Sequence, residues 1–125
     1  MRTFFIADDS HEKILFLRHM LKFAGWDGDI VTAGTTEEAK TLMKAHPDIS
    51  AAFIDYYIPS ENGPAIIAYL KEKNPNCRIA LVSSSDSPQN AAEAKSAGAD
   101  AVVCTSYRSD EVERTILDLL HSWTL

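Results

Sequence analysis

The chain is expected to be an α/β protein, a doubly wound parallel sheet with helices on both faces. Three observations predict this. Short apolar runs of strand length alternate with longer segments whose apolar residues recur every three or four positions. Each strand-like run is followed by a helix-like one, the order produced by parallel strands joined through right-handed crossovers. The 125 residues, 46% hydrophobic and 24% charged, suit one buried core of that kind.

The elements follow in order. Residues 3–7 form a buried strand. Ser10 caps a helix running to about Ala24, with Ile14, Leu17, Leu21 and Ala24 on one face, and Gly25 ends it. Residues 29–33 are a short second strand. Thr35 and Glu38 have capping-box spacing, Ala39, Leu42 and Met43 form the inner stripe of the second helix, and Pro47 closes it. Residues 50–54 are the third strand. Pro59-Ser60-Glu61-Asn62-Gly63 is a turn-rich loop, and Pro64 suits the first turn of a helix whose Ile66, Ile67 and Leu70 face inward. Residues 78–82 are the fourth strand. Ser87-Pro88 opens an Ala-rich fourth helix ending at Gly98, and its small side chains bury little area, which makes it the least stable helix. Residues 101–104 are the fifth strand. Ser109 caps a last helix with Val112, Ile116, Leu119, Leu120 and Trp123 on its apolar side. No repeat or linker interrupts this series, so residues 1–125 are expected to be a single domain.

The formal net charge of −6 argues against a nucleic-acid surface and mildly against an anionic membrane. Only four apolar residues separate Met1-Arg2-Thr3 from an Asp pair, far short of a secretory signal, and no apolar run approaches the roughly 20 residues that span a bilayer. Cys77 and Cys104 lack zinc or redox spacing and fall at expected strands, which reads as buried free thiols in a reducing cytoplasm. His11, His19, His46 and His121 show no ligand spacing, and Trp26 and Trp123 read as packing residues.

Three acids carry the functional information. Asp8 and Asp9 follow the first strand and Asp55 follows the third. Right-handed crossovers place all strand-to-helix loops at one sheet edge, so Asp8, Asp9, Asp55, Ser83, Ser84 and Thr105 share it. Ligands in such sheets bind where the strand order reverses. With the first and third strands flanking that point, the three carboxylates converge, and a charge at the rim of an apolar core needs a partner. Taken singly, each residue has a plainer reading: the Asp pair as a helix cap, Asp55 as a turn residue, Ser83-Ser84-Ser85 as a polar loop. Their common register favours a cation site.

Four motifs in this order and spacing resemble the receiver domain of bacterial two-component response regulators. They are Ile6-Ala7-Asp8-Asp9-Ser10, Phe53-Ile54-Asp55-Tyr56-Tyr57-Ile58-Pro59 with Asn62-Gly63, Leu81-Val82-Ser83-Ser84, and Ala97-Gly98-Ala99-Asp100. The resemblance covers essentially the whole chain. It implies a flavodoxin-like, five-stranded sheet of order 2-1-3-4-5 with five helices. It implies Asp55 as phosphoacceptor and a Mg²⁺ ion held by Asp9, Asp55 and the backbone carbonyl of Tyr57, with Asp8 acting through water. Ser83 matches the hydroxyl that meets the phosphoryl group, and Ser84 a position kept small for the incoming donor. The chemistry agrees: crowded carboxylates raise one another's pKa unless a cation sits among them, hard oxygen donors suit Mg²⁺, and an aspartate can act as a covalent nucleophile.

One segment departs from the pattern. The family's Lys-Pro-aromatic after the fifth strand reads Thr105-Ser106-Tyr107 here, and Val102 replaces an often aromatic reporter. Thr105 supplies no positive charge. Ser106 makes a cis bond costly, about 2.5–4 kcal/mol. Arg108 is the nearest cation in sequence and either substitutes for the missing lysine or is simply solvated. Tyr57, two residues after Asp55, either shields the site from water or points to solvent.

Two functions stand. The first is a phosphoacceptor of a phosphorelay, taking a phosphoryl group from a phosphohistidine on a sensor histidine kinase or phosphotransfer protein to form an aspartyl phosphate. It would be catalytic at most for its own phosphorylation and dephosphorylation, and would signal to an output protein or a second copy through its helix 4–strand 5–helix 5 face. The second is a pseudo-receiver, a protein-interaction module that does not cycle phosphate. A nucleotide-binding enzyme or a phosphatase on a similar sheet is disfavoured, since neither Gly-x-Gly-x-x-Gly nor a Walker lysine is present.

Overall fold

The first apolar run is buried on both sides, and this sets the layering. In the computed structural model, which describes residues 2–123, β1 (Arg2–Ala7) is followed by α1 (His11–Phe23), β2 (Gly28–Ala33), α2 (Thr36–Ala45) and β3 (Ile49–Ile54). Then come β4 (Tyr57–Ile58), β5 (Glu61–Asn62), α3 (Gly63–Lys73), β6 (Arg78–Ser83), α4 (Pro88–Ala97), β7 (Ala101–Cys104) and α5 (Ser109–Ser122). Side chains alternate along β1. Phe4 and Ile6 therefore pack with Leu17, Phe53, Ile116 and Trp123 on the α1/α5 side. Phe5 and Ala7 pack with Met43, Ile54, Ile67 and Leu70 on the α2/α3 side.

The five main strands are parallel, in the order β2-β1-β3-β6-β7. Counted within that sheet, this is the expected 2-1-3-4-5. The switch point lies between β1 and β3, so the chain ends of these two strands, and the loops that follow them, stand side by side. Trp26 and Trp123 are packing residues, as expected: Phe4, Trp26, Trp123 and Phe53 form a chain of rings with centroids 5.1, 6.3 and 5.9 Å apart. Helix α4 is as weakly anchored as its composition suggests, with Ala94 its one fully buried residue.

Local details differ from expectation. The Pro59–Gly63 loop contains a small antiparallel ribbon, β4 with β5, turning through Ser60 at φ 87°. Its strands are two residues each, too short to show alternation. Thr35 caps α2 as predicted, accepting from the Glu38 N–H at 3.1 Å, but Glu38 reaches past the cap to accept from the Gly34 N–H at 2.9 Å. Ser109 is the first residue of α5 rather than its cap, since Arg108 occupies the cap position and makes no side-chain capping bond.

The two thiols are also unlike each other. Cys77 precedes β6 and is buried, and burial pushes its thiol up to about 12. Cys104, at the end of β7, is partly exposed and approaches Ser106 Oγ at 3.0 Å. A thiolate is needed for exchange. At pH 8 an aromatic disulfide reagent is therefore expected to label Cys104 in the native protein and Cys77 only after unfolding. Rapid native labelling of both would contradict this packing.

Candidate functional site

The backbone brings the acids together before any side chain contributes. The Asp55 N–H donates to the Ala7 carbonyl at 2.9 Å, which continues the β1–β3 ladder one residue past β3. The Asp8 N–H donates to the Ala33 carbonyl at 2.9 Å, continuing the ladder to β2. Asp8 and Asp55 thus emerge at neighbouring places on the edge, and carboxylate oxygens of Asp8, Asp9 and Asp55 lie within 4.8 Å of one another. Asp8 and Asp55 are buried and Asp9 is exposed. Asp8 Oδ1 accepts from the Ser10 N–H and Asp55 Oδ1 from the Tyr56 N–H, both at 2.8 Å. This all-oxygen donor set fits a hard divalent cation.

The positive charge comes from Lys13. Its Nζ lies 2.9 Å from Asp8 Oδ2 and 3.2 Å from Asp55 Oδ1, and donates to the Val82 carbonyl at 3.0 Å. Arg108 does not substitute for the lysine missing after the fifth strand. It is 78% exposed and faces Asp110, with Nε 3.3 Å from Oδ1. The reason is geometric. Side chains on a helix lean back toward its N-terminus, so a long side chain in the first turn of α1 reaches the strand ends that precede it. A signal for this was present: a cation in a helix first turn is disfavoured by the helix dipole and implies an anion nearby.

Burial still dominates the ionisation of Asp8. Loss of hydration raises its pKa above the ordinary carboxylate value, outweighing the Ser10 N–H and Lys13, which lower it; the charge of Asp55 adds a smaller upward push. The mutual repulsion expected of the acids is therefore the lesser cause. All buried side-chain nitrogens and oxygens among the described residues have partners.

The remaining expected residues fall around this centre. Ser83 is buried at the end of β6, its Oγ accepting from the Ser85 N–H at 3.2 Å, and Ser84 is exposed beyond it. The Thr105 N–H donates to the Ser83 carbonyl at 2.8 Å, so the segment that departs from the family pattern lies against β6. The Thr105–Ser106 peptide is trans, and Val102 is partly buried on β7. Tyr107 is 58% exposed, with Asp86 the main cause of its raised pKa. Tyr57 is 61% exposed and meets Tyr56 edge-on at 4.8 Å. That exposure favours the solvent-facing alternative for Tyr57.

Two features were not anticipated. Gly63 packs so closely on the Asp55 backbone that any Cβ would overlap the Asp55 carbonyl oxygen. Glu93 of α4 accepts from Tyr56 Oη at 3.0 Å and from Asn62 Nδ2 at 3.2 Å, tying α4 to the loop after Asp55. No spacing rule links Glu93 to those residues, because the contact crosses between crossover units.

A doubly wound sheet of this order, with acids from two adjacent strands meeting at its switch point, defines the receiver class of signalling domain. The chain belongs to the response regulator receiver domain family, whose model matches residues 4–116. Solved structures agree in fold. A chain of the CheX–CheY–beryllofluoride–Mg²⁺ complex from Borrelia burgdorferi is 22% identical with a TM-score of 0.79, over 95% of this chain and 89% of that one. Vibrio cholerae CheY4 is 20% identical with a TM-score of 0.78, over 97% of each chain. A Burkholderia pseudomallei response regulator, solved with a phosphorylated aspartic acid, calcium and citrate, is 19% identical with a TM-score of 0.71, over 100% of this chain and 77% of that one. No curated protein matches the chain in sequence.

Proposed function

We propose that the chain is a working phosphoacceptor, in which Asp55 receives a phosphoryl group from a phosphohistidine on a sensor histidine kinase or phosphotransfer protein. The observation that carries this reading is the convergence of Asp8, Asp9 and Asp55 at the switch point, within 4.8 Å, with Asp55 at the end of β3. An Asp55 carboxylate oxygen attacks phosphorus, an O–P bond forms, the N–P bond breaks, and the imidazole leaves with its electron pair. Asp9, Asp55 and the Tyr57 carbonyl, with Asp8 through water, would hold Mg²⁺, which when bound neutralises charge on the transferring group. Ser83 Oγ would leave the Ser85 N–H for the new phosphoryl oxygens. Ser84 leaves the approach open.

Modification adds about −1.5 to −2 charge beside the Tyr56–Glu93–Asn62 contacts. Disturbing them would shift α4 and with it the α4–β7–α5 face, where a cavity of about 290 Å³ is lined by Asp86, Asn90, Val102 and Tyr107. That face is the proposed site for an output protein or a second copy. Free Cys77 and Cys104 are consistent with a reducing cytoplasm.

The pseudo-receiver reading draws its support from Lys13, whose ammonium pairs with two of the acids. Intact mass after incubation with acetyl phosphate separates the two. A phosphoryl adduct is expected that maps to the peptide carrying Asp55, requires Mg²⁺ and is abolished by a chelator. No adduct from acetyl phosphate or from a panel of phosphorylated kinases would leave the pseudo-receiver.

A further inference from the structure

We infer that Lys13 is the exchangeable cation of this site: it holds Asp8 and Asp55 in the metal-free protein, yields them to an entering divalent ion, and turns to the phosphoryl oxygens once Asp55 is modified. The last clause rests on the phosphoacceptor reading, and the first two do not.

The contacts are those of a built position rather than a surface ion pair. An ammonium has three donors, and Lys13 Nζ has three oxygens to receive them: Asp8 Oδ2, Asp55 Oδ1 and the Val82 carbonyl. The side chain is only 14% exposed, against 42% for Lys40 and 78% for Arg108 in their pairs. It enters from α1, on the same face of the sheet as α5, and lines one cavity with Thr105 and Tyr107 of the segment after β7. Thr105, just after β7, brings no charge.

Electrostatics then set the sequence of events. Three carboxylates and one ammonium leave a local charge of about −2, which still favours a divalent cation. A metal ion taking Asp55 and the Asp8 side competes with Nζ for the same oxygen lone pairs, so metal and Lys13 oppose each other there. The four-carbon stem lets Nζ move without moving the helix. When Asp55 carries a phosphoryl group, new anionic oxygens appear beside the place Nζ occupied, and the ammonium pairs with them. Lys13 should therefore weaken metal binding and strengthen binding of a phosphoryl mimic. A merely structural role would give both effects the same sign.

The test is Lys13→Met, with Lys13→Gln as a second variant should the first fold poorly. Titration calorimetry measures Mg²⁺ binding alone, then beryllofluoride binding at saturating Mg²⁺. Mg²⁺ affinity is expected to rise about tenfold and beryllofluoride affinity to fall about tenfold, within the usual range of site coupling. Adding Thr105→Lys to Lys13→Met is expected to restore beryllofluoride binding, since it returns a cation to the cavity that Lys13 and Thr105 share. Unchanged or weaker Mg²⁺ binding in both variants would overturn the exchange. Unchanged beryllofluoride binding in the variants would overturn the pairing with phosphoryl oxygens. A wild-type protein that binds no beryllofluoride, beside variants that bind Mg²⁺ more tightly, would sink the phosphoacceptor reading and support the exchange.

Discussion

Asp55→Asn is expected to take up no phosphoryl group, from acetyl phosphate or from a phosphorylated kinase, at any Mg²⁺ concentration. An amide is uncharged and far less nucleophilic than a carboxylate, so no acyl phosphate is expected to form. The fold should survive. Asparagine has nearly the shape of aspartate, and an amide oxygen can still accept from the Tyr56 N–H, which Asp55 Oδ1 does at 2.8 Å. Lys13 keeps Asp8 and the Val82 carbonyl. Intact mass and a thermal melt on the same sample test both halves. A residual adduct in a folded variant would move the acceptor to Asp8 or Asp9 and refute the assignment of Asp55.

Gly63→Ala is expected to damage fold and site together. The new Cβ would overlap the Asp55 carbonyl oxygen and stand 2.9 Å from the Asp55 carbonyl carbon and 3.1 Å from Tyr56 Cα. These are backbone atoms and cannot rotate aside, while the Gly63 N–H is held to the Tyr56 carbonyl at 2.7 Å. Relief requires moving the end of β3 or the start of α3. Overpacking of this kind costs about 1–3 kcal/mol, and displacement of a reacting group by about 1 Å can cost about a hundredfold in rate. Urea unfolding should show the stability loss, and acetyl phosphate uptake should slow at least tenfold in the fraction that remains folded. Gly34→Ala is the matched control: its nearest atoms, Glu38 Oε1 and the Asp8 carbonyl oxygen, would be 3.5 and 3.8 Å from a Cβ, so it should be near neutral. Wild-type stability and uptake in Gly63→Ala would show that the loop relaxes freely and that Asp55 is not positioned by this contact.

Much of this molecule was legible in local pattern. The five main strands, the five helices and the stripes of α3 and α5 followed from periodicity, because an element that must bury one face repeats its apolar residues at its own period. Asp8, Asp9 and Asp55 were legible as one group for a topological reason. Parallel strands joined by right-handed crossovers end at the same edge whatever their side chains are.

The small β4–β5 ribbon was less legible, because two-residue strands carry too few residues to show a period. The bond that the Gly34 N–H donates to Glu38 likewise depended on which neighbouring N–H lay within reach.

By itself, the order of residues determined the architecture, the acidic trio and the absence of a lysine after the fifth strand. The tertiary structure alone decided what replaces that charge. Sequence proximity offered Arg108 either as a substitute or as a solvated cation; it is solvated, and the ammonium among the acids belongs to Lys13, separated from Asp55 by two crossovers. Periodicity reports which face of an element is buried. Where a long flexible side chain ends depends on how neighbouring elements are packed, and the Lys13–Val82 and Glu93–Asn62 contacts exist only once α1, β3, β6 and α4 are in place.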